Sequence, residues 1–327
     1  MIDLSVVVVT WNTRELVLDC LASVEQEARS LLEATGLAVE IAVVDNASSD
    51  GTAQSIREGH AGVRVIELPR NLGFAAGANA GLRELRGRYV LLLNSDTRVV
   101  GGALERCLRF LDQNPEVGIV GPQLLNPDGS VQNSIHNYPI LATELFPKGV
   151  LQFLFRRRFP SRRWVGSEPI EVEALLGAAL FVRAQLIAEV GPLPEEYFFF
   201  LEETDWCLRS RKAGWRVVYL PTAFVVHLSG GSSKRRNPAL TRIEYHRSLY
   251  HFFRKHRGAA RMAMVLSLRI AKALFYVLTQ APLVLAGARR RARWRVHWDL
   301  LTWHLRGCPA GVGLGRSPAP ETEVAEG

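Results

Sequence analysis

The sequence predicts an α/β fold, with a mostly parallel central sheet flanked by helices and a C-terminal helical appendage. Up to about residue 233, short β-branched apolar runs alternate with segments of helical periodicity, which is typical of consecutive β–α–β units. Beyond that point the charge changes. Residues 234–316 carry 18 Lys and Arg against two acidic residues, whereas residues 1–233 carry 22 against 27. We therefore expect an α/β domain at 1–233, a basic, partly apolar helical region at 234–310 and a disordered tail at 311–327.

The first half of the α/β domain is regular. Residues 4–10 are continuously apolar and β-branched, as expected of a strand buried on both faces. A helix over 13–34 follows, with apolar residues at helical spacing. The next predicted elements are a strand at 41–44, a helix from Gly51, a strand at 63–67, a helix over 74–86 and a strand at 89–93.

The second half is less regular. A helix over 102–113 ends at Asn114-Pro115, and residues 126–172 contain several prolines and a basic cluster within 156–163. Regular structure returns at 173–182. It is followed by helices at 184–190 and 203–213, strands at 216–220 and 223–227, and a helix over 241–257 in the basic region.

Polar residues follow three of the first four predicted strands. They are Thr10-Trp11-Asn12, residues 45–50 beginning with Asp45, and Asn94-Ser95-Asp96. Ligands of parallel α/β sheets bind at the carboxyl ends of the strands. A single Asp there could simply cap the next helix, but two, each after an uninterrupted apolar strand, favour a ligand site.

Two common phosphate-binding loops are missing from the sequence. The first strand is followed by Thr-Trp-Asn rather than GxGxxG, and no GxxxxGK[ST] motif occurs. We therefore expect phosphate groups to be neutralised by a divalent cation, Mg²⁺ or Mn²⁺, held by Asp96. Both ions take carboxylate oxygens and share their coordination shell with substrate phosphates.

Five motifs, in this order, resemble glycosyltransferase family 2, especially its bacterial rhamnosyltransferase-like members. They are VVDNASSDGT (43–52), NLGFAAGANAG (71–81), LLNSD (92–96), GAA (177–179) and FLEETDWCLR (200–209), with His227 after them. The resemblance covers roughly residues 3–256. It implies the GT-A fold and an inverting transfer of sugar from a nucleoside-diphosphate donor to an acceptor hydroxyl.

The resemblance also implies a nucleotide-sugar site. In it, Asp45 hydrogen-bonds the base or ribose, and the remaining residues line the pocket or shape the wall around the base and diphosphate. Those residues are Thr10, Asn12, Asn71, Gly73, Phe74, Gly77, Asn79, Asn94 and Ser95. Close approach of the backbone to a ligand is a physical reason for glycine in such a wall.

A metal site is implied at Asp96, which matches the last carboxylate of the family's DxD motif. The first position of that motif is Asn94 here, so a single carboxylate must hold the metal with help. His227 resembles the family's late histidine and can supply that help. The alternative is an ordinary half-buried strand-end histidine.

An acidic cluster of Glu202, Glu203 and Asp205 follows an aromatic run at 197–200 and begins a helix. Acidic residues favour a helix N-terminus, which accounts for one or two of them. Sugar transfer needs a base for the acceptor hydroxyl, and desolvation by the rings would raise the pKa of a carboxylate towards a working range. The family pattern, Glu-Asp-x-Asp, has its base at the middle acid, here Glu203. Because Glu203 is one methylene longer, the base is either Glu203 or Asp205. Arg209, one turn later, is expected to pair with Asp205.

These residues predict a metal-dependent inverting glycosyltransferase of cell-wall or surface-polysaccharide assembly. The alternative is a catalytically inactive nucleotide-sugar-binding or scaffold protein, but Asp96 and the late acids are all present. The resemblance to rhamnosyltransferases favours a dTDP-rhamnose-like donor over UDP- or GDP-sugars. The acceptor is a saccharide, and a polyprenyl-diphosphate-linked one would suit a membrane-bound enzyme. The oligomeric state stays open.

The basic region predicts attachment to an anionic membrane surface. Residues 262–288 are mostly apolar, but Arg269 and Lys272 would each cost about 2.5–3.5 kcal/mol at a bilayer centre. The stretch from Lys272 to Arg289 is shorter than the roughly 20 residues of a spanning helix. Five arginines and a tryptophan at 289–295 suit a headgroup layer. We therefore expect a cytoplasmic enzyme, peripheral on the cytoplasmic face of the plasma membrane. Packing on protein or a dimer contact is the alternative.

Two further segments are basic. The helix over 241–257 mixes aromatic and basic residues, as nucleic-acid-binding helices do, but the acidic domain and the sugar-transfer motifs argue against a nucleic-acid partner. The Gly/Ser-rich segment 228–236 ends in three cations. It either folds over the donor's diphosphate or is a flexible basic linker.

Overall fold

The computed structural model describes residues 2–155, 166–228 and 237–314. The chain divides into two units, Met1–Arg235 and Arg236–Gly327. The elements of the first unit are, in chain order, β1 (Leu4–Thr10), α1 (Arg14–Thr35), β2 (Val39–Asp45), α2 (Thr52–Gly59), β3 (Val63–Glu67), α3 (Phe74–Leu82), β4 (Tyr89–Asn94), β5 (Thr97–Val100), α4 (Ala103–Gln113), β6 (Val117–Leu125), β7 (Ile135–His136), α5 (Leu141–Leu145), α6 (Lys148–Leu154), β8 (Ile170–Glu171), β9 (Ala174–Leu175), β10 (Ala179–Arg183), α7 (Ala184–Val190), α8 (Glu202–Lys212) and β11 (Arg216–His227).

Strand β1 is mostly apolar, with Leu4 and four consecutive valines at 6–9, and both of its faces are covered. Val6 and Val8 belong to the main core cluster, together with the buried side chains of α1. The alternate residues face α3, where a Cβ added at Gly81 would lie 2.6 Å from a methyl of Val7. Successive strand side chains point to opposite faces, so α1 and α3 cover the two faces of the sheet.

The main sheet has the strand order β3-β2-β1-β4-β10-β6-β11-β5, and β8 pairs with β11. Strands β3, β2, β1 and β4 are mutually parallel, as are β6 and β11. Strands β10, β5 and β8 run antiparallel to their neighbours. The predicted α/β fold, with a mostly parallel central sheet flanked by helices, is confirmed.

Several predicted boundaries were wrong. The helix expected over 74–86 ends at Leu82, and β5 and β6 were not predicted. The strands expected at 216–220 and 223–227 are one strand, β11, whose register against β6 shifts between Leu220 and Phe224. Pro221 lies at that shift, where its lack of an N–H interrupts the ladder locally.

The second unit contains α9 (Pro238–Arg257), α10 (Ala259–Gln280), a 3₁₀ helix (Ala281–Ala286) and α11 (Ala288–Leu305). Asn237 caps α9, accepting a hydrogen bond from Ala239 N at 2.9 Å, with Pro238 at the first helical position. Small apolar clusters pack α10 and α9 against α11. Within the described residues, α10 alone is long and apolar enough to cross a membrane. The apolar stretch expected at 262–288 is interrupted where α10 gives way to the 3₁₀ helix at Pro282.

Some predictions concern residues outside those described. They are the basic cluster within 156–163, the charged part of the segment 228–236 and the tail beyond residue 314.

Candidate functional site

The strand register brings the predicted polar residues to one edge of the sheet. Thr10 pairs with Asp45 across β1 and β2, and Val9 pairs with Asn94 across β1 and β4. All three strands are parallel, so their carboxyl ends, with the loops that follow, lie side by side.

Hydroxyl and amide groups join these loops. The Thr13 hydroxyl shares hydrogen bonds with Thr10 Oγ1 at 2.8 Å and with Ser95 Oγ at 3.0 Å, which links the end of β1 to the end of β4. Asn12 has a left-handed backbone, with φ 51°, and its Oδ1 accepts a hydrogen bond from Ser49 N at 2.7 Å. Asn12 therefore links the β1 loop to the β2 loop.

Asp45 is 3% exposed at the end of β2. Its Oδ1 accepts a hydrogen bond from Ser48 N at 3.1 Å. Burial raises the pKa of this carboxyl, and the hydrogen bonds from Ser48 oppose the shift. A carboxylate held in this way at a strand end can accept hydrogen bonds from a ligand's hydroxyl or N–H groups.

Asn46 is a site residue that sequence reasoning did not single out. It is 3% exposed, its Nδ2 donates to Gly73 O at 2.9 Å, and its Oδ1 accepts from Leu72 N at 2.8 Å. One buried amide thus holds the loop that precedes α3 against β2. Asn71 supports the same turn, because its Oδ1 accepts from Gly73 N at 3.0 Å.

Gly73 approaches protein backbone closely. Its φ is +88°, and a Cβ there would lie 2.2 Å from Phe198 O, an oxygen that also accepts from Phe74 N at 2.9 Å. The loop before α3 therefore packs against the aromatic run 197–200. This contact by itself explains the glycine, and the ligand approach expected from the sequence stays a prediction.

Gly77 and Asn79 have packing roles. A Cβ at Gly77 would lie 3.0 Å from Val9, so this glycine lets α3 pack closely on β1. Asn79 is 2% exposed, and its amide exchanges hydrogen bonds with the backbone of Leu193 at 2.9 and 3.1 Å. The described contacts of both residues are to protein, and their place in the wall of a ligand pocket stays a prediction.

Asp96 and His227 lie together. Residues 95 and 96 form the turn between β4 and β5, and β5 pairs antiparallel with β11 so that Thr97 faces His227. His227 Nε2 lies 3.4 Å from Asp96 Oδ1, and the two side chains are 12% and 7% exposed. Within the part of the chain that the structure describes, no cluster of three or more His, Cys, Asp and Glu is arranged to hold a metal. Asp96 and His227 form a pair rather than a larger cluster.

The acidic cluster begins α8. Phe200 and Leu201, just before the helix, have φ of 73° and 68°, a region in which non-glycine residues are strained. Asp205 is fully buried; its Oδ2 accepts from Tyr197 OH and its Oδ1 from Arg209 Nε, both at 3.0 Å. The expected pairing of Arg209 with Asp205 is confirmed.

Glu203 has different surroundings from Asp205. It is 8% exposed, and its Oε1 accepts from the neighbouring Thr204 hydroxyl at 3.2 Å. A Cβ at Gly177 would lie 3.4 Å from its Cγ, so the side chain lies over that glycine. Burial raises the pKa of this carboxyl. Glu202, its neighbour, is also buried.

A short backbone path connects Glu203 with the Asp96–His227 pair. Gly177, beneath Glu203, precedes Ala178, whose carbonyl accepts a hydrogen bond from Asn94 N at 3.0 Å. Asp96 is two residues after Asn94. Asp96 with His227, and Glu203 with its raised pKa, thus both lie near the end of β4, at the sheet edge that carries Thr10 and Asp45.

Comparisons with known proteins identify the family. The model of "Glycosyl transferase family 2" matches residues 5–165, and that of "Glycosyl transferase family group 2" matches residues 89–308. The N-acetylglucosaminyl-diphospho-decaprenol L-rhamnosyltransferase of Mycobacterium tuberculosis is 31% identical over 291 residues, covering 83% of this chain and 91% of the relative. A dTDP-rhamnosyl transferase of Shigella flexneri is 26% identical over 174 residues, covering 52% of this chain and 54% of the relative.

The fold is shared with solved structures. A mannosyltransferase of Pyrobaculum calidifontis, solved with GDP-Man and Mn²⁺, superposes with a TM-score of 0.56 at 19% identity, covering 94% of this chain and 88% of that one. TarS of S. aureus gives 0.53 at 17% identity, covering 82% and 42%. The GT-A fold implied by the motifs is confirmed. With two family models and a relative that spans most of its length, the chain belongs to glycosyl transferase family 2.

Proposed function

We propose that this glycosyltransferase moves a sugar from a nucleoside-diphosphate donor to a hydroxyl of a lipid-linked saccharide by a single inverting displacement. One observation carries the proposal. The pocket residues at the ends of β1 and β2, the Asp96–His227 pair and the buried Glu203 converge at one edge of the sheet.

The nucleotide is assigned to the loops after β1 and β2. Asp45 would accept hydrogen bonds from the base or ribose, and Thr10 and Asn12 would line the same pocket. Asn46 and Asn71 hold the loop before α3, so they would shape the wall around the diphosphate. Hydrogen bonds within this network keep the pocket formed before the donor arrives, which lowers the entropic cost of binding.

The Asp96–His227 pair fits a divalent cation. A carboxylate oxygen and an imidazole nitrogen are suitable ligands, and at 3.4 Å the two atoms are close enough to share an ion. Mg²⁺ and Mn²⁺ complete their shells with water and substrate phosphates, so few protein ligands are needed. When bound, the cation would supply positive charge beside the departing diphosphate.

Glu203 is proposed as the base. Its carboxylate would take the proton from the acceptor hydroxyl, whose oxygen forms a bond to the anomeric carbon. On the opposite face the bond from that carbon to the diphosphate oxygen breaks, and the nucleoside diphosphate leaves with the bonding electron pair. The raised pKa makes Glu203 a stronger base than an exposed Glu. Asp205, with both oxygens occupied by Tyr197 and Arg209, would hold the start of α8 in place.

The donor and acceptor are proposed from the relatives. The relatives named above are rhamnosyltransferases by name, which favours a dTDP-rhamnose-like donor, and the mycobacterial one acts on a decaprenol-diphosphate-linked sugar. We extend both properties to this chain. The proposed process is cell-wall or surface-polysaccharide assembly.

An apolar surface in the first unit suits a lipid-linked acceptor. Six large apolar side chains within residues 145–155 are 43–72% exposed: Leu145, Phe146, Val150, Phe153, Leu154 and Phe155. The segment leaves the sheet after β7 and returns through β8 to β9, which pairs with β7 just before Gly177. Exposed apolar patches of this kind mark interaction surfaces. Strand β9, to which this segment returns, ends two residues before Gly177, over which the proposed base lies.

The second unit is proposed to attach to an anionic membrane surface on the cytoplasmic side. One face of α10 exposes Met264, Leu274, Phe275 and Leu278, while Ala273 and Val277 pack inward. The five arginines within 289–295, at the start of α11, are exposed. An apolar helix face in a cationic unit is the pattern of an interfacial helix.

The test of the proposed function is a panel of nucleotide sugars with and without Mn²⁺, scored by release of nucleoside diphosphate in the presence of a polyprenyl-diphosphate-linked saccharide. We expect the largest turnover with dTDP-rhamnose, abolished by chelator. Asp96→Ala should lower turnover by orders of magnitude without changing the circular dichroism spectrum. Turnover that persists with chelator would reject the metal, and no turnover with any donor would reject the activity.

A further inference from the structure

A hairpin after β6 brings Gln132 next to His227. Residues 126–129 are Asn-Pro-Asp-Gly, with φ of +79° at Gly129, and Gly129 N donates to Asn126 O at 2.9 Å. The chain then returns along β6, where Gln132 N donates to Leu124 O at 2.8 Å. Because β11 also pairs with this end of β6, Gln132 lies beside the last residue of β11.

The orientation of the Gln132 amide follows from its partners. Its Nε2 is 3.1 Å from the backbone oxygen of His227 and 2.9 Å from Asn126 Oδ1. A backbone carbonyl oxygen can only accept, so the NH₂ group must be on that side. The amide oxygen, Oε1, therefore faces His227 Nδ1, 2.7 Å away.

This contact determines which His227 nitrogen carries hydrogen. Oε1 can only accept, so Nδ1 carries the hydrogen and the neutral ring has its lone pair on Nε2. That lone pair lies 3.4 Å from Asp96 Oδ1, which is also an acceptor. Two acceptor atoms directed at each other are stabilised by a cation between them.

We propose that Gln132 is a positioning residue that holds the His227 ring, and its Nδ1–H tautomer, so that Nε2 faces the cation site. The inference rests on the proposed cation site at Asp96 and His227. A hydrogen bond to the non-ligating nitrogen orients a histidine ligand and raises its basicity. Asn126 contributes indirectly, since its Oδ1 accepts the second N–H of Gln132.

The test compares variants that keep or remove the acceptor facing Nδ1. Gln132→Leu removes it at similar size, and Gln132→Glu keeps an acceptor for Nδ1 but loses the two hydrogen bonds that Nε2 donates. Asp128→Ala is the matched control. It removes the side chain that accepts from Ser130 N at 2.9 Å in the same hairpin, without touching Gln132 or His227. Free Mn²⁺ is measured by electron paramagnetic resonance, with full-length protein in excess dTDP.

We expect Gln132→Leu to weaken Mn²⁺ binding by about 10–100-fold, the usual effect of losing such a partner. Gln132→Glu, which keeps the acceptor for Nδ1, should lose less affinity than Gln132→Leu, and Asp128→Ala should stay within a few-fold of wild type. In a His227→Ala background, Gln132→Leu should have little further effect, because the ligand it positions is gone. Thermal unfolding of each variant separates this loss from a folding defect.

Two results would overturn the inference. One is an unchanged Mn²⁺ affinity in Gln132→Leu, and the other is an equal loss in the presence and absence of His227. Sugar transfer is measured separately on the wild type. If the wild type transfers sugar and Gln132→Leu has normal Mn²⁺ affinity, the role of Gln132 is rejected and the proposed function stands. If Mn²⁺ binding depends on Gln132 but the wild type transfers no sugar, the proposed function is rejected and the role of Gln132 stands.

Discussion

Glu203 and Asp205 are two residues apart in α8, and their carboxylates have different surroundings. Asp205 is fully buried between Tyr197 and Arg209, whereas Glu203 lies over Gly177 near the sheet edge that carries Asn94. The sequence left the base open between them. The contacts favour Glu203 for proton transfer and Asp205 for holding the helix.

Substitutions of the two acids should therefore have different effects. Glu203→Gln should lower turnover by roughly 10²–10⁴-fold, the range for loss of a general base, with donor affinity unchanged. Asp205→Asn should lower the free energy of unfolding by about 1–3 kcal/mol, because it weakens a buried charged hydrogen bond. Steady-state kinetics and urea denaturation measure the two effects. A larger turnover defect in a stably folded Asp205→Asn would reverse the assignment.

The raised pKa of Glu203 predicts a pH dependence. A base works only when ionised, so kcat/KM should rise with pH through the pKa of Glu203, which lies above the usual Glu value of about 4.3. Residual activity of Glu203→Gln should lack this acid limb. The raised pKa also means that ionised Glu203 destabilises the fold as pH rises, so Glu203→Gln should be as stable as wild type at pH 7 or more so. An unchanged acid limb in the variant would contradict the assignment.

At the scale of elements, the loop before α3 and the aromatic run before α8 depend on each other. Phe74 N donates to Phe198 O, and no side chain fits at Gly73 between them. The loop before α3 belongs to the proposed nucleotide side of the site, and the aromatic run leads into the acidic cluster. Their packing couples the geometry of the pocket wall to the start of α8.

Gly73→Ala tests this coupling. Its Cβ would lie 2.2 Å from Phe198 O, so backbone must move and both stability and turnover should fall. Gly36→Ala is a matched control, since Gly36 also has a positive φ, +76°, but nothing within 4 Å of an added Cβ. Left-handed strain should lower the free energy of unfolding of the control by about 1–2 kcal/mol, and its turnover should be normal. Urea denaturation and steady-state kinetics measure both effects. Equal losses of stability and turnover in Gly73→Ala and Gly36→Ala would contradict the coupling.

The apolar segment around α6 yields a prediction about the acceptor. Replacing Phe153, Leu154 and Phe155 with Ser should raise KM for a polyprenyl-linked acceptor while leaving KM for a short-chain, soluble analogue and for the donor unchanged. The reason is that the exposed side chains would contact only the lipid. Leu32→Ser, at an α1 residue that is 53% exposed, is the control. Equal KM changes for both acceptors would contradict a lipid contact.

At the scale of the whole molecule, a mildly acidic catalytic unit is joined to a cationic helical unit. Such a division is explained if the enzyme binds at the surface where its acceptor is embedded. Each cation near an anionic leaflet contributes about 1 kcal/mol, and salt screens that contribution. The apolar face of α10 adds burial that salt does not weaken.

Vesicle flotation tests the attachment. Full-length protein should float with anionic liposomes, float poorly with neutral ones and be partly released by high salt. Replacing Leu274, Phe275 and Leu278 with Ser should abolish flotation, whereas Leu305→Ser, at an exposed residue of α11, should not. Equal flotation with both vesicle types, or none with either, would contradict an electrostatic interfacial attachment.

Local patterns in the sequence determined the order of the early strands and helices, the polar residues at the strand ends and the family. The reason is that these features depend on periodicity and on motifs of a few adjacent residues. The less regular second half was predicted poorly. There β5 has only four residues, β6 contains two glycines and a proline, and β11 contains a proline at its register shift, so periodicity is a weak guide.

Tertiary structure alone decided which side chains meet. Asn46 contacts Gly73 across 27 residues of sequence, and Gln132 contacts His227 across 95. No local sequence pattern indicates either contact. The turn residues Asn126-Pro127-Asp128-Gly129 could have predicted the hairpin but not its partner strand. Likewise, one motif contains both Glu203 and Asp205. Their proposed roles differ because the fold surrounds Asp205 with hydrogen-bond donors and places Glu203 over a glycine. Burial and partner atoms, which set a carboxylate's pKa and its freedom to react, are properties of the packed chain.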